Sequence, residues 1–512
     1  MITSETGPTT TLPTEARRAR WLDVTLLALG AILLRIPAYL APTNLGYDDG
    51  GYGLAAIAMR QGYDPFRDVF SSQGPLFLPL VRLADLAGFE TLDAPRLLAV
   101  AAGAVTTVAV YFAGRELMDR GRALLAAVLA GSSGVLLWTT GPLTSDGVGA
   151  AISASAVAVA LVYRRRPSTG LAIAIAILAG SAFSVKNLLV TPALVAAWLL
   201  VLSRHRIKDA VLVPLGAVVV LVLVSSPWGF NDVYLDSVKY HLAKTGERRP
   251  LDNLNKLVTT YWRWSLTLVA IGAVALVTRL LRRSPVAHRH APETAGGDER
   301  SFAAAASVGT EARRPLLDRL FGDQRIVWWW AGLVVVVLLA QNPMFRNHLA
   351  ALVAPFALLV ARYRPSWRAV VITALITVPY QAYQLRPLLL PKDYSGRNAT
   401  IVDALRKLPP SAWALSDEPG LIWRAGKATD PFFVDPSVLR IGLPVKEISF
   451  DQERLLDAAA NPRECAVAVT SPARFGSFPD LPAKLAGLGY EQTEDFGHGR
   501  GLWIRRDCAP SA

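Results

Sequence analysis

Long apolar runs recur along this chain, and several approach the length that a lipid bilayer demands. A spanning helix needs about 20 mostly apolar residues. Only 18% of the 512 residues are charged, whereas soluble domains carry about 25%. These features exclude a disordered chain, a disulfide-stapled secreted domain and an ordinary cytosolic enzyme. They predict a mainly α polytopic helical bundle of about eleven transmembrane helices, at roughly 21–41, 93–114, 122–140, 147–163, 168–185, 187–203, 209–226, 262–281, 326–341, 348–362 and 367–386.

Short basic clusters between the apolar runs predict which side each connection faces. With residues 1–20 as a cytoplasmic tail that leads into a retained signal anchor, the clusters at 164–166, 204–208 and 362–368 all fall inside, as positive-inside bias requires. The net charge of +13 therefore reflects membrane topology, and we expect no nucleic-acid partner because no separate basic face is apparent. The expected location is the plasma membrane, with membrane lipids as neighbours.

The remaining segments divide the chain further. A transmembrane domain is predicted over 21–387, with a first exterior loop at 42–92 and a flexible cytoplasmic linker at 284–318. Residues 388–512 alternate short β-rich runs with helix-like stretches, which predicts an extracytoplasmic α/β domain. The chain's two cysteines, Cys465 and Cys508, both lie there. A disulfide and two unrelated thiols are equally open at this point.

Polar residues at the exterior ends of spans are the informative ones, because charge near hydrocarbon is costly and commonly marks function. The densest group is the first exterior loop, where Asp48-Asp49 precede Tyr52 and a Ser72-Gln73-Gly74-Pro75 segment follows. Paired aspartates at a helix start can simply cap amides and complement the helix dipole. Asp146 could likewise be only a helix cap, since it also lies at the start of a predicted helix.

The order of these motifs resembles the GT-C class of membrane glycosyltransferases, in particular bacterial relatives of the protein O-mannosyltransferases and lipid A aminoarabinose transferases. The first loop matches their Asp-Glu-x-x-Tyr pattern, with Asp49 standing where most relatives have Glu. Gln73 lies where many have His or Lys. The resemblance covers roughly residues 20–385, and its further matching segments are Ser145-Asp146-Gly147, Lys186-Asn187 and Arg346-Asn347-His348-Leu349 with Pro355.

The resemblance implies transfer of a sugar from a polyprenyl-phosphate-linked donor to a hydroxyl of a glycan, lipid or protein acceptor on the exoplasmic face. An acceptor hydroxyl must lose its proton as it attacks, and a carboxylate in a nearly dry site suits that task. We expect Asp48 to be this base. Asp49 and Asp146 would orient the acceptor or share a divalent cation with Asp48; the need for a metal stays open, and no other cofactor is expected.

A lipid-phosphate leaving group also calls for cations. The loop at 227–261 is unusually basic for an exterior segment, which favours an anionic ligand there. The alternatives are snorkelling for Lys186, solvated surface charge for the loop cations, a structural role for His348 and interfacial anchoring for Tyr52. The candidate substrate-binding residues are Tyr52, Gln73, Lys186, Arg248, Arg249, Arg346 and His348.

Two other classes of function remain at this point. A transporter or flippase of lipid-linked saccharides would favour internal repeats and mid-membrane charges, neither of which is evident. A non-catalytic scaffold would not explain why the acidic first loop faces a basic loop. Phosphate-binding Gly-Lys-Ser/Thr loops, Rossmann glycines, His-Glu-x-x-His and Cys-x-x-Cys are absent from the sequence, which argues against ATP-driven transport and zinc proteolysis.

Overall fold

The protein is described by a computed structural model over residues 14–204, 206–243, 250–283, 325–436 and 451–508. The predicted linker at 284–318 and the candidate residues Arg248 and Arg249 lie outside these ranges. Most described residues are helical, which confirms the predicted mainly α class. The helices of the first half are α1 Thr14–Leu33, α2 Ile36–Tyr39, α3 Tyr47–Arg60, α4 Phe77–Ala87, α5 Leu97–Leu117, α6 Arg120–Gly131, α7 Gly134–Thr140, α8 Ser145–Arg165, α9 Thr169–Phe183, α10 Asn187–Leu202 and α11 Ile207–Ser225.

Shorter and bent helices follow. A π-helical turn at Leu235–Lys239 lies between the helices Phe230–Tyr234 and Tyr240–Leu242, and a 3-10 helix at Arg346–Leu352 leads into the helix Val353–Arg362. These later helices are α12 Phe230–Tyr234, α13 Tyr240–Leu242, α14 Pro250–Trp264, α15 Leu266–Arg283, α16 Arg325–Ala340, α17 Val353–Arg362, α18 Trp367–Gln384, α19 Arg386–Leu389, α20 Arg397–Lys407, α21 Pro419–Arg424, α22 Gln452–Ala459 and α23 Leu481–Gly487.

Three described helices are long and apolar enough to cross a membrane: Ala94–Leu117, Ser145–Arg165 and Ile207–Trp228. The number rises to five if two bent pairs each form one span. The first pair, α6 and α7, bends by 56°, and the second, α14 and α15, bends by 98°. The count of eleven spans therefore remains a prediction.

The surface of α11 has the character of a lipid-facing helix. Only 17% of an 18-residue apolar stretch of this helix is buried within the protein. Leu215, Val218 and Leu223 are each more than half exposed. Soluble proteins rarely expose such large contiguous apolar surfaces. The described part of the chain thus combines apolar helices with a surface suited to hydrocarbon.

The C-terminal segment (residues 388–512) contains a four-stranded sheet in the order β1-β2-β4-β3. β1 and β2 are parallel, and β4 is antiparallel to both β2 and β3. Cys465 and Cys508 form a disulfide, which decides the alternative left open by the sequence. The strands are β1 Trp413–Ser416, β2 Glu464–Val469, β3 Tyr490–Gly497 and β4 Arg500–Arg505.

The two faces of this sheet belong to different buried clusters. Along β2, Ala466 and Ala468 join a buried cluster that includes Leu54 and Phe77 of the first loop. The intervening Val467 and Val469 join a second cluster with residues of α22 and α23. Because side chains alternate along a strand, the apolar run of β2 supplies both cores.

Close glycine contacts bring α21 of the C-terminal segment onto α3. A Cβ atom at Gly50 would lie 2.4 Å from the Cα of Gly420, and one at Gly53 would overlap the ring of Trp423. At the same surface the Trp423 indole donates to the Leu92 carbonyl at 3.2 Å. The tight seam between α3 and α21 therefore fixes the C-terminal segment against the first turn of α3.

We predict that Gly50→Ala destabilises this seam. An alanine inside a helix is ordinarily more stable than glycine by about 0.5–1 kcal/mol, but here the added methyl group meets backbone, and overpacking costs about 1–3 kcal/mol. The thermal unfolding midpoint of the purified protein should fall. Gly30→Ala is the matched control, since a Cβ there meets nothing within 4 Å; equal midpoints for the two variants would contradict the proposed contact.

Candidate active site

The first turn of α3 carries the two predicted carboxylates, and they enter different surroundings. Asp48 is half-buried, and its Oδ2 accepts a hydrogen bond from the Asn347 amide at 3.2 Å. Asn347 lies on the 3-10 helix Arg346–Leu352, 299 positions away along the chain. The contact therefore brings two of the motifs that the sequence singled out to the same place.

The charges around Asp48 come from three further segments. Burial raises the pKa of the Asp48 carboxyl to about 6, and the nearby negative charges of Asp146 and Asp435 raise it as well. The ammonium group of Lys186 and the hydrogen bond from Asn347 act in the opposite direction. A carboxyl with a pKa near neutrality can take up a proton at physiological pH, which is the property a general base requires.

Lys186 joins the predicted residues of three segments. Its Nζ donates to Gln73 Oε1 at 3.0 Å and to Ser145 Oγ at 3.2 Å, and it lies 3.6 Å from Asp146 Oδ2. Ser145 Oγ also donates to Gln73 Oε1 at 2.7 Å. Lys186 thus points into the polar cluster, which does not agree with the snorkelling alternative.

Local backbone contacts explain how Gln73 reaches Lys186. The amide of Gly74 donates to the Val185 carbonyl at 3.3 Å, and that of Leu76 donates to the Ser184 carbonyl at 2.9 Å. A Cβ atom at Gly74 would lie 2.3 Å from the oxygen of Ser184. Glycine is therefore required for this close approach. Gln73, which precedes Gly74, is thereby held next to Lys186, which follows Val185.

Asp146 does not serve as the cap of its own helix. The Thr144 hydroxyl accepts from the Gly147 amide at 3.3 Å and so caps α8. The Asp146 side chain is buried, and its Oδ1 has no hydrogen-bond partner among the described residues. Buried polar oxygens are normally satisfied, so Asp146 has a vacant acceptor beside Lys186 and near Asp48.

Tyr52 completes the cluster from the next turn of α3. Its ring packs edge-on against Phe77, with centroids 4.6 Å apart. Burial raises the pKa of the Tyr52 hydroxyl well above its usual range, and the carboxylates of Asp48, Asp435 and Asp146 raise it further. The phenol is therefore neutral at physiological pH and can donate a hydrogen bond within the cluster.

Asp49 lies apart from this group, contrary to its predicted role beside Asp48 and Asp146. Its Oδ2 accepts from Arg96 Nη2 at 2.6 Å and from the Leu45 amide at 3.0 Å. Its Oδ1 accepts from Arg96 Nε at 3.2 Å and from the Leu143 amide at 2.9 Å. Both oxygens are fully engaged in a buried ion pair, so Asp49 holds the structure together and is not available to an acceptor or a cation.

The side chains present do not form a good divalent-cation site. Within the described ranges, no group of three or more histidine, cysteine, aspartate or glutamate side chains could hold a metal ion. Asp49 is occupied by Arg96, and the Lys186 ammonium lies 3.6 Å from the Asp146 carboxylate. The shared cation considered for Asp48, Asp49 and Asp146 therefore does not fit this arrangement.

Two other predicted residues flank the cluster. The Arg346 guanidinium lies over the Trp264 ring at 5.6 Å from its centroid, and with Arg263 it lines a small cavity of about 70 Å³. The Nδ1 atom of His348 lies 3.4 Å from the Phe345 amide nitrogen and also contacts the Gln341 side chain. These contacts lie at the start of the 3-10 helix, which favours the structural role for His348.

Asp435 is the site residue that the sequence did not indicate. It comes from the C-terminal segment, accepts from Ser72 Oγ at 3.4 Å and acts electrostatically on Asp48 and Tyr52. Nothing in its local sequence, Phe-Val-Asp-Pro, distinguishes it from other acidic residues. A second unpredicted carboxyl, Asp236, accepts from the Ser71 amide at 3.0 Å, and burial raises its pKa to about 8.

Comparison with known proteins identifies the fold in which these residues lie. The sequence matches the family described as dolichyl-phosphate-mannose-protein mannosyltransferase over residues 74–230. The structure resembles that of ArnT from Cupriavidus metallidurans bound to undecaprenyl phosphate, with a TM-score of 0.60 at 13% identity over 98% of this chain and 100% of that one. The apo form of ArnT gives 0.59 at 14% identity, covering 95% and 98%. The chain has the GT-C glycosyltransferase fold.

The GT-C fold is also shared with a more distant protein. The oligosaccharyltransferase of Archaeoglobus fulgidus, tethered to an acceptor peptide, has a TM-score of 0.50 at 14% identity, covering 88% of this chain and 69% of that one. No curated protein matches the sequence. The family resemblance predicted from the sequence is confirmed, and the comparison with solved structures establishes the GT-C fold.

We predict that Arg96→Met prevents normal folding, because Asp49 would be left as a buried, unpaired carboxylate. Breaking one partner of a buried pair costs about 3–5 kcal/mol. The yield of monodisperse protein after extraction from membranes should fall sharply. Arg406→Met is the control, since that arginine is half exposed and its salt bridge with Asp403 is at the surface. Normal yield of Arg96→Met would contradict a structural role for the pair.

Proposed function

We propose that this protein is a membrane glycosyltransferase that moves a sugar from a polyprenyl-phosphate-linked donor to an acceptor hydroxyl, with Asp48 as the general base. The observation that carries the proposal is the position of Asp48, a half-buried carboxylate with a raised pKa beside Lys186, in a chain with the GT-C fold. The undecaprenyl phosphate bound by ArnT and the matched mannosyltransferase family support a lipid-phosphate donor.

In the proposed reaction the acceptor hydroxyl attacks the anomeric carbon of the donor sugar. A bond forms between the acceptor oxygen and that carbon while the bond from the carbon to the phosphate oxygen breaks. Asp48 receives the hydroxyl proton, and polyprenyl phosphate leaves with the bonding electron pair. Positioned bases contribute roughly 10²–10⁴-fold to such reactions.

The leaving phosphate gains negative charge, so the site needs nearby cations. Lys186 is best placed for this role, because it is partly buried beside Asp146 and acts electrostatically on Asp48. Arg346 and Arg263, around the cavity next to Trp264, provide further positive charge close to Asn347. Gln73 and Tyr52 would orient the sugar through their amide and hydroxyl groups.

We place the reaction on the exoplasmic face of the plasma membrane, because positive-inside bias assigns the first loop and the C-terminal segment to that side. The GT-C fold favours transfer over the transporter alternative. Reconstitution into proteoliposomes distinguishes the two. Movement of lipid-linked saccharide across the bilayer with its linkage intact would support transport, whereas a new glycosidic linkage supports transfer.

We predict that Asp48→Asn lowers sugar transfer by at least 10²-fold, in line with the contribution of a general base. Asparagine keeps the shape of the side chain and removes the basic oxygen. The measurement is incorporation of radiolabelled sugar from membrane donor lipids into envelope glycans, lipids and proteins.

The matched control is Asp403→Asn, whose side chain is 64% exposed on α20. This variant should retain full transfer. Both proteins should reach the membrane in equal amounts and unfold at similar temperatures. Transfer by Asp48→Asn at the normal rate would remove Asp48 from the mechanism.

We also predict a specific dependence of transfer on pH. The base must be deprotonated, so the rate should fall as the pH decreases through about 6, the raised pKa of Asp48. Asp435→Asn removes a negative charge that raises this pKa. The pH at which the transfer rate falls on the acidic side of its pH profile should therefore be lower in this variant. The same pH of falling rate in Asp435→Asn, wild type and Asp403→Asn would contradict an interaction between the two carboxylates.

A further inference from the structure

A second pocket lies at the start of α3, between the first loop and the C-terminal segment. Its volume is about 340 Å³, which falls within the range of roughly 300–1,000 Å³ typical of small-molecule sites. All nine lining residues are half-buried, so the pocket opens at the surface. They include Asn44 and Tyr47 from the first loop and Tyr394, Arg397, Asn398 and Glu418 from the C-terminal segment.

We propose that this pocket binds a sugar unit of a glycan acceptor. The inference rests on the proposed transferase function and adds the acceptor class, which neither the fold nor the comparisons supply. It is carried by the polar lining of the pocket, by an unsatisfied donor on one of the lining residues and by the presence in the lining of Tyr47, the residue next to Asp48.

The lining suits a neutral ligand with many hydroxyl groups. Asn398 and Asn44 offer both donors and acceptors, Glu418 accepts, and Arg397 donates. Leu45 is the one aliphatic side chain in the lining, so a prenyl chain would find little apolar surface. Glu418 places a carboxylate in the lining, which would repel a phosphate but can accept hydrogen bonds from sugar hydroxyls.

One residue of the lining carries a donor that the protein does not satisfy. Arg397 Nη1 donates to the Thr470 carbonyl at 3.2 Å, but Arg397 Nε is buried and has no hydrogen-bond partner in the described part of the chain. Buried donors of this kind are uncommon. Because Arg397 lines the pocket, a shift of its side chain toward the cavity would let a ligand hydroxyl supply the missing acceptor.

The remaining contacts hold the pocket walls in place. Asn44 Nδ2 donates to Glu418 Oε1 at 3.2 Å, and the Asn44 amide donates to the Tyr394 hydroxyl at 3.1 Å. The Arg474 guanidinium lies over the Tyr47 ring, 4.7 Å from its centroid. Burial raises the pKa of Glu418, while the charge of Arg474 lowers it. Both walls are thus tied together before any ligand arrives.

The position of the pocket favours the acceptor over the donor. Tyr47, in its lining, directly precedes Asp48, whereas Lys186 and its partners Gln73 and Ser145 do not line the pocket. Lys186 acts electrostatically on Asp48, so a donor phosphate beside Lys186 and an acceptor sugar beside Tyr47 would both lie close to the proposed base.

The test is ligand binding to the full-length protein in lipid nanodiscs free of glycoside detergent, by saturation-transfer difference NMR. The probes are methyl glycosides of mannose, glucose, galactose and arabinose. At least one should give ring-proton signals with wild type, and the signals should fall at least fivefold in Asn398→Ala and in Arg397→Lys. The Asn398 side chain has no hydrogen-bond partner among the described residues, so its removal should not disturb folding.

The matched control is Asn231→Ala, an exposed position outside the pocket, which should bind like wild type. Asp48→Asn should also bind the glycoside, since binding does not require turnover. If wild type and every variant bind the glycoside but none transfers sugar, the transferase proposal is refuted and the pocket proposal is not. The pocket proposal is overturned if no glycoside gives a signal, if the pocket variants bind normally, or if undecaprenyl phosphate displaces the glycoside.

Discussion

The buried ion pair between Asp49 and Arg96 is the interaction on which the site depends. Besides Asp49, the Arg96 guanidinium donates to the carbonyls of Ala41 at 2.8 Å and Thr43 at 2.5 Å. Its outer face lies against the Trp423 ring of the C-terminal segment, 4.8 Å from the centroid. One side chain therefore joins the end of the first helical region, the start of α3 and α21. Removing either charge would leave its partner buried and unpaired.

The C-terminal segment contributes to the polar cluster around Asp48 and also covers it. Arg424 of α21 bonds Asp93 at 2.5 Å, next to the Arg96 pair, and Ser72 bonds Asp435. The helical loop after α11 closes the same region, because the His241 ring bonds the Ser72 carbonyl at 2.7 Å. The segment Ser71-Ser72-Gln73 is thus held by the C-terminal segment, by the loop after α11 and by Ser145 of α8, which gives Lys186 a fixed partner in Gln73.

Sequence patterns predicted which side chains lie together near Asp48, but they did not predict what each side chain contacts. Asp48, Asp146, Lys186 and Gln73 could be singled out because charge at the end of an apolar run is costly. Asp49 could not be separated from Asp48, since its role depends on Arg96, 47 positions away. The role of Asp435 depends on contact between the C-terminal segment and the first loop, and the disulfide depends on pairing within the C-terminal segment; residue spacing reveals neither. The number of spans depends on helix bends, such as the one between α14 and α15, that hydropathy does not show.

The different surroundings of Tyr47, Asp48 and Asp49 at the start of α3 follow from helix geometry. Successive residues on an α-helix point about 100° apart, so three neighbouring side chains can enter three environments. Tyr47 lines the polar pocket, Asp48 faces the cluster of Lys186 and Asp146, and Asp49 is held by Arg96. A rigid turn is needed for this arrangement, and the Asp49 pair supplies the rigidity. The residue that looked most like a second catalytic group thereby fixes the position of Asp48, the proposed base.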